Sequence, residues 1–325
     1  MDPLFFLDMM ISEEDLGRDI YTFFEIILGQ FDNESVKDKI AKYAVRHVGR
    51  NGDVKFFKNK KINFSYFHPY FKSSKFKKSY SREVKKFLTS QEYSEYIIKS
   101  GTVQDIDNYA EFLFERDLAS FLNRVNLFTN SKIAAELIDK AVQDSPTQVF
   151  AHMSASNIKK YNIGIKQVCD NVLNNDQTLL LTVLPKAKEY GLSKEDIDVY
   201  IEKAYALLTV RQGETNGFIE SLNKIFLFSD PKSSRIFIQD HSNILLEYSR
   251  LSLEDSPYNI FHYDVLEVLK NLGMPRLEMK QIIDNAVREY PEETGACFNY
   301  DKMDSVQVSL TKEGMLEYLS IMLKS

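Results

Sequence analysis

The chain of 325 residues contains no tryptophan, two cysteines, 12 glycines and 8 prolines. Two cysteines, Cys169 and Cys297, exclude a disulfide framework. They fit a reducing compartment, where an unpaired cysteine behaves as a small apolar side chain. So few glycines and prolines exclude collagen-like and low-complexity chains and argue against a many-turned all-β fold. No apolar run reaches the roughly 18–20 residues of a membrane-spanning helix. The N-terminal apolar patch, Leu4-Phe5-Phe6-Leu7 and then Met9-Met10-Ile11, has no basic stretch before it and no small-residue cleavage site. It does not read as a secretory signal. These absences predict a soluble, cytoplasmic protein.

Catalytic signatures are missing too. The chain has no G-x-G-x-x-G, P-loop, G-x-S-x-G, H-E-x-x-H or C-x-x-C. Its five histidines, at 47, 68, 152, 241 and 262, lie too far apart for a local zinc site. The carboxylate pairs Asp105/Asp107 and Asp196/Asp198 are two residues apart, so on a helix they point to different faces. They read as acids of a first turn, where the helix dipole favours them, rather than as an acid–base pair. No metal and no cofactor are expected, and the reading leans away from an enzyme.

Helical periodicity dominates what is present. Leu16, Ile20, Phe23, Phe24, Ile27, Leu28 and Phe31 form one stripe. Val36, Ile40, Tyr43, Ala44 and His47 form a second, Ile106 to Val125 a third, and Ile133 to Val142 a fourth. Further helices are expected near 162–174, 176–190, 193–211, 217–228, 233–251, 258–272, 276–290 and 311–323. Two stretches resemble each other. Gly191-Leu192 and Gly273-Met274 are each followed, ten residues after the glycine, by Ile201-Glu-Lys-Ala and Ile283-Asp-Asn-Ala. This spacing predicts helix, glycine just past its end, helix. The expected fold is all-α: an irregular multi-helix bundle, or a short solenoid-like array of helical hairpins. The expected division is an N-terminal region over 1–100 and a hairpin array over 101–325. Strand signal is confined to the alternations at 62–66 and 305–310, with a basic loop or hairpin expected near 50–80.

One segment departs from ordinary composition. Residues 55–86 hold eleven lysines and arginines, one acid (Glu83) and nine aromatic rings. The window is therefore +10 in a chain of net charge −6, a segregation that creates a strong local field. Lysines neutralise phosphates, and exposed aromatics stack on unpaired bases. On that chemistry Lys58, Lys60, Lys61, Lys72, Lys75, Lys77 and Lys78 are candidates to hold an anionic partner, with Tyr66, Tyr70 or Phe71 to stack. Lysine outnumbers arginine here, so backbone tracking on single-stranded RNA or DNA fits better than reading base edges. The alternatives are an acidic protein partner, or aromatics that face the core while the lysines are merely solvated. Leu4, Phe5, Phe6 and Leu7 are a candidate docking peptide for a groove on a partner, or pack on their own domain. The expected function is a non-enzymatic helical scaffold within a larger assembly. The wider excess of lysine over arginine is the usage that AT-rich coding produces, as in many viruses, and says nothing physical about function.

Arg235-Ile-Phe-Ile-Gln-Asp-His241 resembles the R-x(4–6)-H signature of the HEPN ribonucleases, which are all-helical dimers acting on RNA. The resemblance implies Arg235 and His241 on either side of a scissile phosphate. It covers seven residues, and the family's usual polar residue after the arginine is here Ile236. The alternative is an ordinary helix in which the two are polar-face or capping residues.

Overall fold

A computed structural model describes residues 20–48, 54–72, 82–209, 217–225, 228–261 and 265–290, with Phe5, Leu7, Glu293 and Thr294. Among the described residues the fold is all-α, with eighteen α-helices and no strand. No described helix is long and apolar enough to cross a membrane. The expectations at 305–310 and 311–323, and Cys297, lie outside the described residues. Two compact units result, Met1–Ala141 with His152–Asn157, and Val142–Ala151 with Ile158–Ser325.

In the first unit, α1 (Ile20–Gln30) and α2 (Glu34–Tyr43) are followed by a π-helical turn, Ala44–Val48, and a 3-10 turn, Lys55–Lys58. Then come α3 (Phe64–Phe71), α4 (Arg82–Leu88), α5 (Gln91–Ser100), α6 (Val103–Arg116) and α7 (Leu118–Asn123). Side-chain caps start many of these helices: Asn33 for α2, Ser90 for α5 and Asp117 for α7. Thr102 and Asp105 form a capping box for α6. Asp117, extended at φ −154°, ends α6 and begins α7, so the third apolar stripe is two helices.

The alternation at 62–66 does not make a strand. Phe64, Phe67, His68 and Phe71 recur at helical spacing and are all buried on α3. α3 is short and holds Pro69, which lacks an N–H and cannot bond back to Ser65. Its stability comes from α6, which holds both ends. Asp105 accepts from Ser65 N at 2.8 Å and Ser65 Oγ at 2.5 Å, and Arg116 Nη2 donates to the Phe71 carbonyl at 2.6 Å. An anion at the N-terminus and a cation at the C-terminus also suit the dipole of α3. α6 and α3 form one packed body within the first unit.

α8 (Ala134–Asp144), α9 (Pro146–His152) and α10 (Ala155–Lys160) lead along the chain to α11 (Ile165–Asn175). α12 (Leu180–Glu189), α13 (Lys194–Thr209), α14 (Gly217–Asn223), α15 (Pro231–Asp240) and α16 (Ser242–Asp255) follow. After a 3-10 turn, Pro257–Phe261, come α17 (Val265–Asn271) and α18 (Arg276–Glu289). α12 is the core of the second unit. Leu180 to Pro185 and Ala187 are all buried, and the helix packs on α11, α13, α14 and α15. The packing is that of an all-α multi-helix bundle. The single helix expected over 233–251 is two helices, because the backbone leaves helical geometry at His241 (φ −114°, ψ 15°). The periodic stripe continues in phase across that break.

Gly191 and Gly273 have φ of +98° and +88°, a region open to glycine at no steric cost. At the first, Leu192 N donates to Ala187 O and Gly191 N to Lys188 O. At the second, Met274 N donates to Leu269 O and Gly273 N to Lys270 O. Both are Schellman ends, the physical content of the internal similarity. An added Cβ meets nothing at either position, so alanine introduces backbone strain alone. Gly191→Ala and Gly273→Ala are each expected to cost about 1 kcal/mol in urea unfolding. No change would mean that these ends relax to ordinary φ.

Candidate anion-binding face

The basic segment is built on an aromatic core. The 3-10 turn Lys55–Lys58 buries Phe56 and Phe57 and exposes Lys55. Phe57 meets Phe67 at 5.0 Å, Phe71 meets Phe112 at 5.1 Å, and Phe64 meets Tyr109 at 5.2 Å between ring centroids. Polar anchors hold the turn in place. Tyr93 donates its hydroxyl to the Phe57 carbonyl at 2.8 Å, and Tyr96 donates to that of Lys58 at 2.7 Å. Asn59 donates to Glu25 at 2.6 Å. Burial pushes the Tyr93 and Tyr109 hydroxyls well above the ordinary range, so both remain neutral donors.

Among the described residues, most of the nominated side chains are engaged within the unit. Lys58 pairs with Glu92 and lies over the Phe87 ring at 5.3 Å. Lys61 donates to the Leu28 carbonyl at 3.2 Å, near the C-terminal end of α1, and Lys72 pairs with Glu111 at 2.8 Å. His68 Nε2 is 3.3 Å from the same Glu111. Burial, reinforced by the nearby Lys72 charge, lowers the His68 pKa. Tyr70 donates to Asp38 at 2.7 Å, and its pKa is pushed up to about 12, by burial first and by Asp38 second. Phe71 is buried and offers no face to a base, whereas Tyr66 is half-exposed. Lys75, Lys77 and Lys78 lie outside the described residues.

Four cations stand apart from this pairing. Lys60, Arg82, Lys85 and Lys86 are exposed and carry no ion pair among the described residues. Val84 and Leu88 bury one side of α4. Arg82, Lys85 and Lys86, at i, i+3 and i+4, share another. Sequence reasoning counted these three in the basic window without nominating them. The signal was their one-turn spacing around the apolar Val84 and Leu88.

Phe5 is exposed and Leu7 is buried in the fold, while Leu4 and Phe6 lie outside the described residues. Arg235 is exposed on α15, but His241 has no exposed side-chain surface. Its Nδ1 lies 2.6 Å from Asp198 Oδ1, and its ring is 4.8 Å from that of Phe237. Burial lowers its pKa against the opposing pull of Asp198. The two residues of the R-x5-H resemblance therefore do not form one open site, and His241 ties α13 to the junction of α15 and α16. Asp196 bonds Ser193 and Lys166 instead of joining Asp198, and Asp107 accepts from Ser131 and Lys132 instead of joining Asp105. Among the described residues no group of His, Cys, Asp and Glu could hold a metal ion. Cys169 is buried, and burial pushes its thiol up to about 12, far from a reactive thiolate. Compared with known proteins, the chain matches no family model, no curated protein and no solved structure.

Proposed function

We propose that the chain is a non-enzymatic, all-helical interaction protein, part of a larger assembly, that engages an anionic partner through the basic face of its first unit. The observation that carries this reading is the trio Arg82, Lys85 and Lys86, exposed on one side of α4 with no ion pair among the described residues. Like charges at this spacing work against their own helix. What they supply is a field that steers and holds an anion. Lys60 and the three lysines at 75, 77 and 78 extend the same charge along the chain.

Burial of Phe56, Phe57, Phe64, Phe67 and Phe71 favours charge contact over base stacking. The partner is accordingly an acidic protein surface, with the phosphate backbone of a nucleic acid as the second reading. Fluorescence anisotropy tests this with labelled poly-L-glutamate, single-stranded RNA and DNA, and duplex DNA, over about 50 to 500 mM salt. Binding to poly-L-glutamate that weakens steeply with salt is expected. A strong preference for single strands would move the assignment to nucleic acid. No binding of any of these at low salt would remove the reading altogether.

A further inference from the structure

The second unit carries a face of opposite character. α13 and α16 pack together, and α14 packs on both. Across this contact Tyr205 and Tyr248 stack, with ring centroids 4.4 Å apart and planes 20° apart. Phe218 of α14 is buried and meets both rings edge-on, at 5.6 and 6.1 Å. The tyrosines are half-exposed, and Leu251, one turn beyond Tyr248, is exposed. Four exposed carboxylates surround the pair: Glu202 on α13, and Glu247, Glu254 and Asp255 on α16. None of the four has an ion pair among the described residues. Their charges act on the tyrosines. Burial raises both hydroxyls, and Asp255 and Glu254 add to it at Tyr205, Glu202 and Glu247 at Tyr248. Two described cations on the same helices are otherwise engaged. Arg250 is held by both oxygens of Glu278, at 2.5 and 3.0 Å, and Lys203 lies over the Tyr200 ring at 4.9 Å.

Stacked aromatic faces and unpaired carboxylates are the two elements that attract an ammonium or guanidinium group. Leu251 adds an apolar contact for the methylene stem of a lysine. The complement is present in the chain itself. The first unit holds 22 basic against 21 acidic residues, its positive charge gathered in 55–86, and the second holds 19 against 26.

We propose that the α13–α16 face is a docking surface for a lysine-rich segment, and that its occupant is the basic segment of a second copy of this chain. The proposal rests on the reading of residues 55–86 as an anion-binding segment. Each copy carries both halves of the contact. Two reciprocal contacts close a dimer, and a one-way contact propagates into a ring or filament.

Sedimentation velocity of the full chain, with charge-reversed variants, tests it. The first variant carries Arg82→Glu, Lys85→Glu and Lys86→Glu; the second carries Glu202→Lys, Glu247→Lys and Glu254→Lys. The wild type is expected to self-associate at low salt and to dissociate, by tenfold or more in affinity, at about 500 mM salt. Each variant alone is expected to associate at least tenfold more weakly, and an equimolar mixture to recover association. Thermal unfolding checks that both are folded; should one fail, glutamine replacements at the same positions give the same comparison. A wild type that stays monomeric at low salt, or a mixture that recovers nothing, overturns the proposal. If that chain still binds poly-L-glutamate, the anion-binding reading stands and only the occupant is wrong. If poly-L-glutamate binding is absent as well, both fall.

Discussion

Replacing Asp105 by alanine is expected to destabilise the first unit by about 3–5 kcal/mol. The carboxylate is fully buried and accepts four hydrogen bonds. Ser65 N and Oγ reach one oxygen at 2.8 and 2.5 Å. Thr102 N and Oγ1 reach the other, both at 2.8 Å. Alanine leaves two backbone N–H groups and two hydroxyls without their acceptor; Ser65 is half-buried and Thr102 exposed, so water replaces part of what is lost, and each bond left unmade costs about 1–3 kcal/mol. It also removes the anion from the N-terminus of α3, a helix already weakened by Pro69. Urea unfolding followed by far-ultraviolet circular dichroism measures the effect. Asp105→Asn keeps the shape but turns an NH2 toward donors on one side, so it should fall between alanine and wild type. A loss below about 1 kcal/mol for alanine would mean that α3 does not depend on this clamp.

Phe64→Ala is expected to be comparably damaging, at about 3–5 kcal/mol. The ring is buried where α3, α5 and α6 meet, with the rings of Phe71, Tyr93, Tyr109 and Phe112 at 5.2 to 6.4 Å. Two of those neighbours are fixed by their own bonds. Tyr109 donates to the Leu88 carbonyl and Tyr93 to the Phe57 carbonyl, both at 2.8 Å. The site therefore collapses little, and the cavity cost adds to the lost burial. Phe64→Leu fills most of the space and should cost clearly less. Equal, small losses for both would place Phe64 outside the packed core. Because the Tyr109 bond reaches the end of α4, a damaged core should also loosen the helix that carries Arg82, Lys85 and Lys86.

Those two residues show where sequence reasoning reaches its limit. Helical stripes are local, so most helices were legible, and the two glycines with positive φ were readable as helix ends from a spacing that occurs twice. The alternation at 62–66 fitted strand and helix equally over five residues. The deciding partner, Asp105, lies 40 residues away from Ser65. The break at His241 was hidden because the apolar stripe runs on across it, and the Asp198 that bonds its side chain is 43 residues distant. The basic window was visible as composition. Which of its lysines are occupied was not, since Glu92 and Glu111 lie 34 and 39 residues from Lys58 and Lys72. The stacked Tyr205 and Tyr248 likewise come from separate helices and leave no short motif.

We propose that the exposed cations on α4, which make no ion pair among the described residues, hold an anionic partner. This is tested most directly by comparing poly-L-glutamate affinity at low salt between the wild type and the Arg82→Gln, Lys85→Gln, Lys86→Gln variant, with unfolding midpoints measured in parallel. The expected result is affinity at least tenfold weaker at an unchanged midpoint, as follows from removing three surface charges that make no ion pair within the described fold. Equal affinity in the two proteins would contradict the claim and leave α4 as a solvated helix.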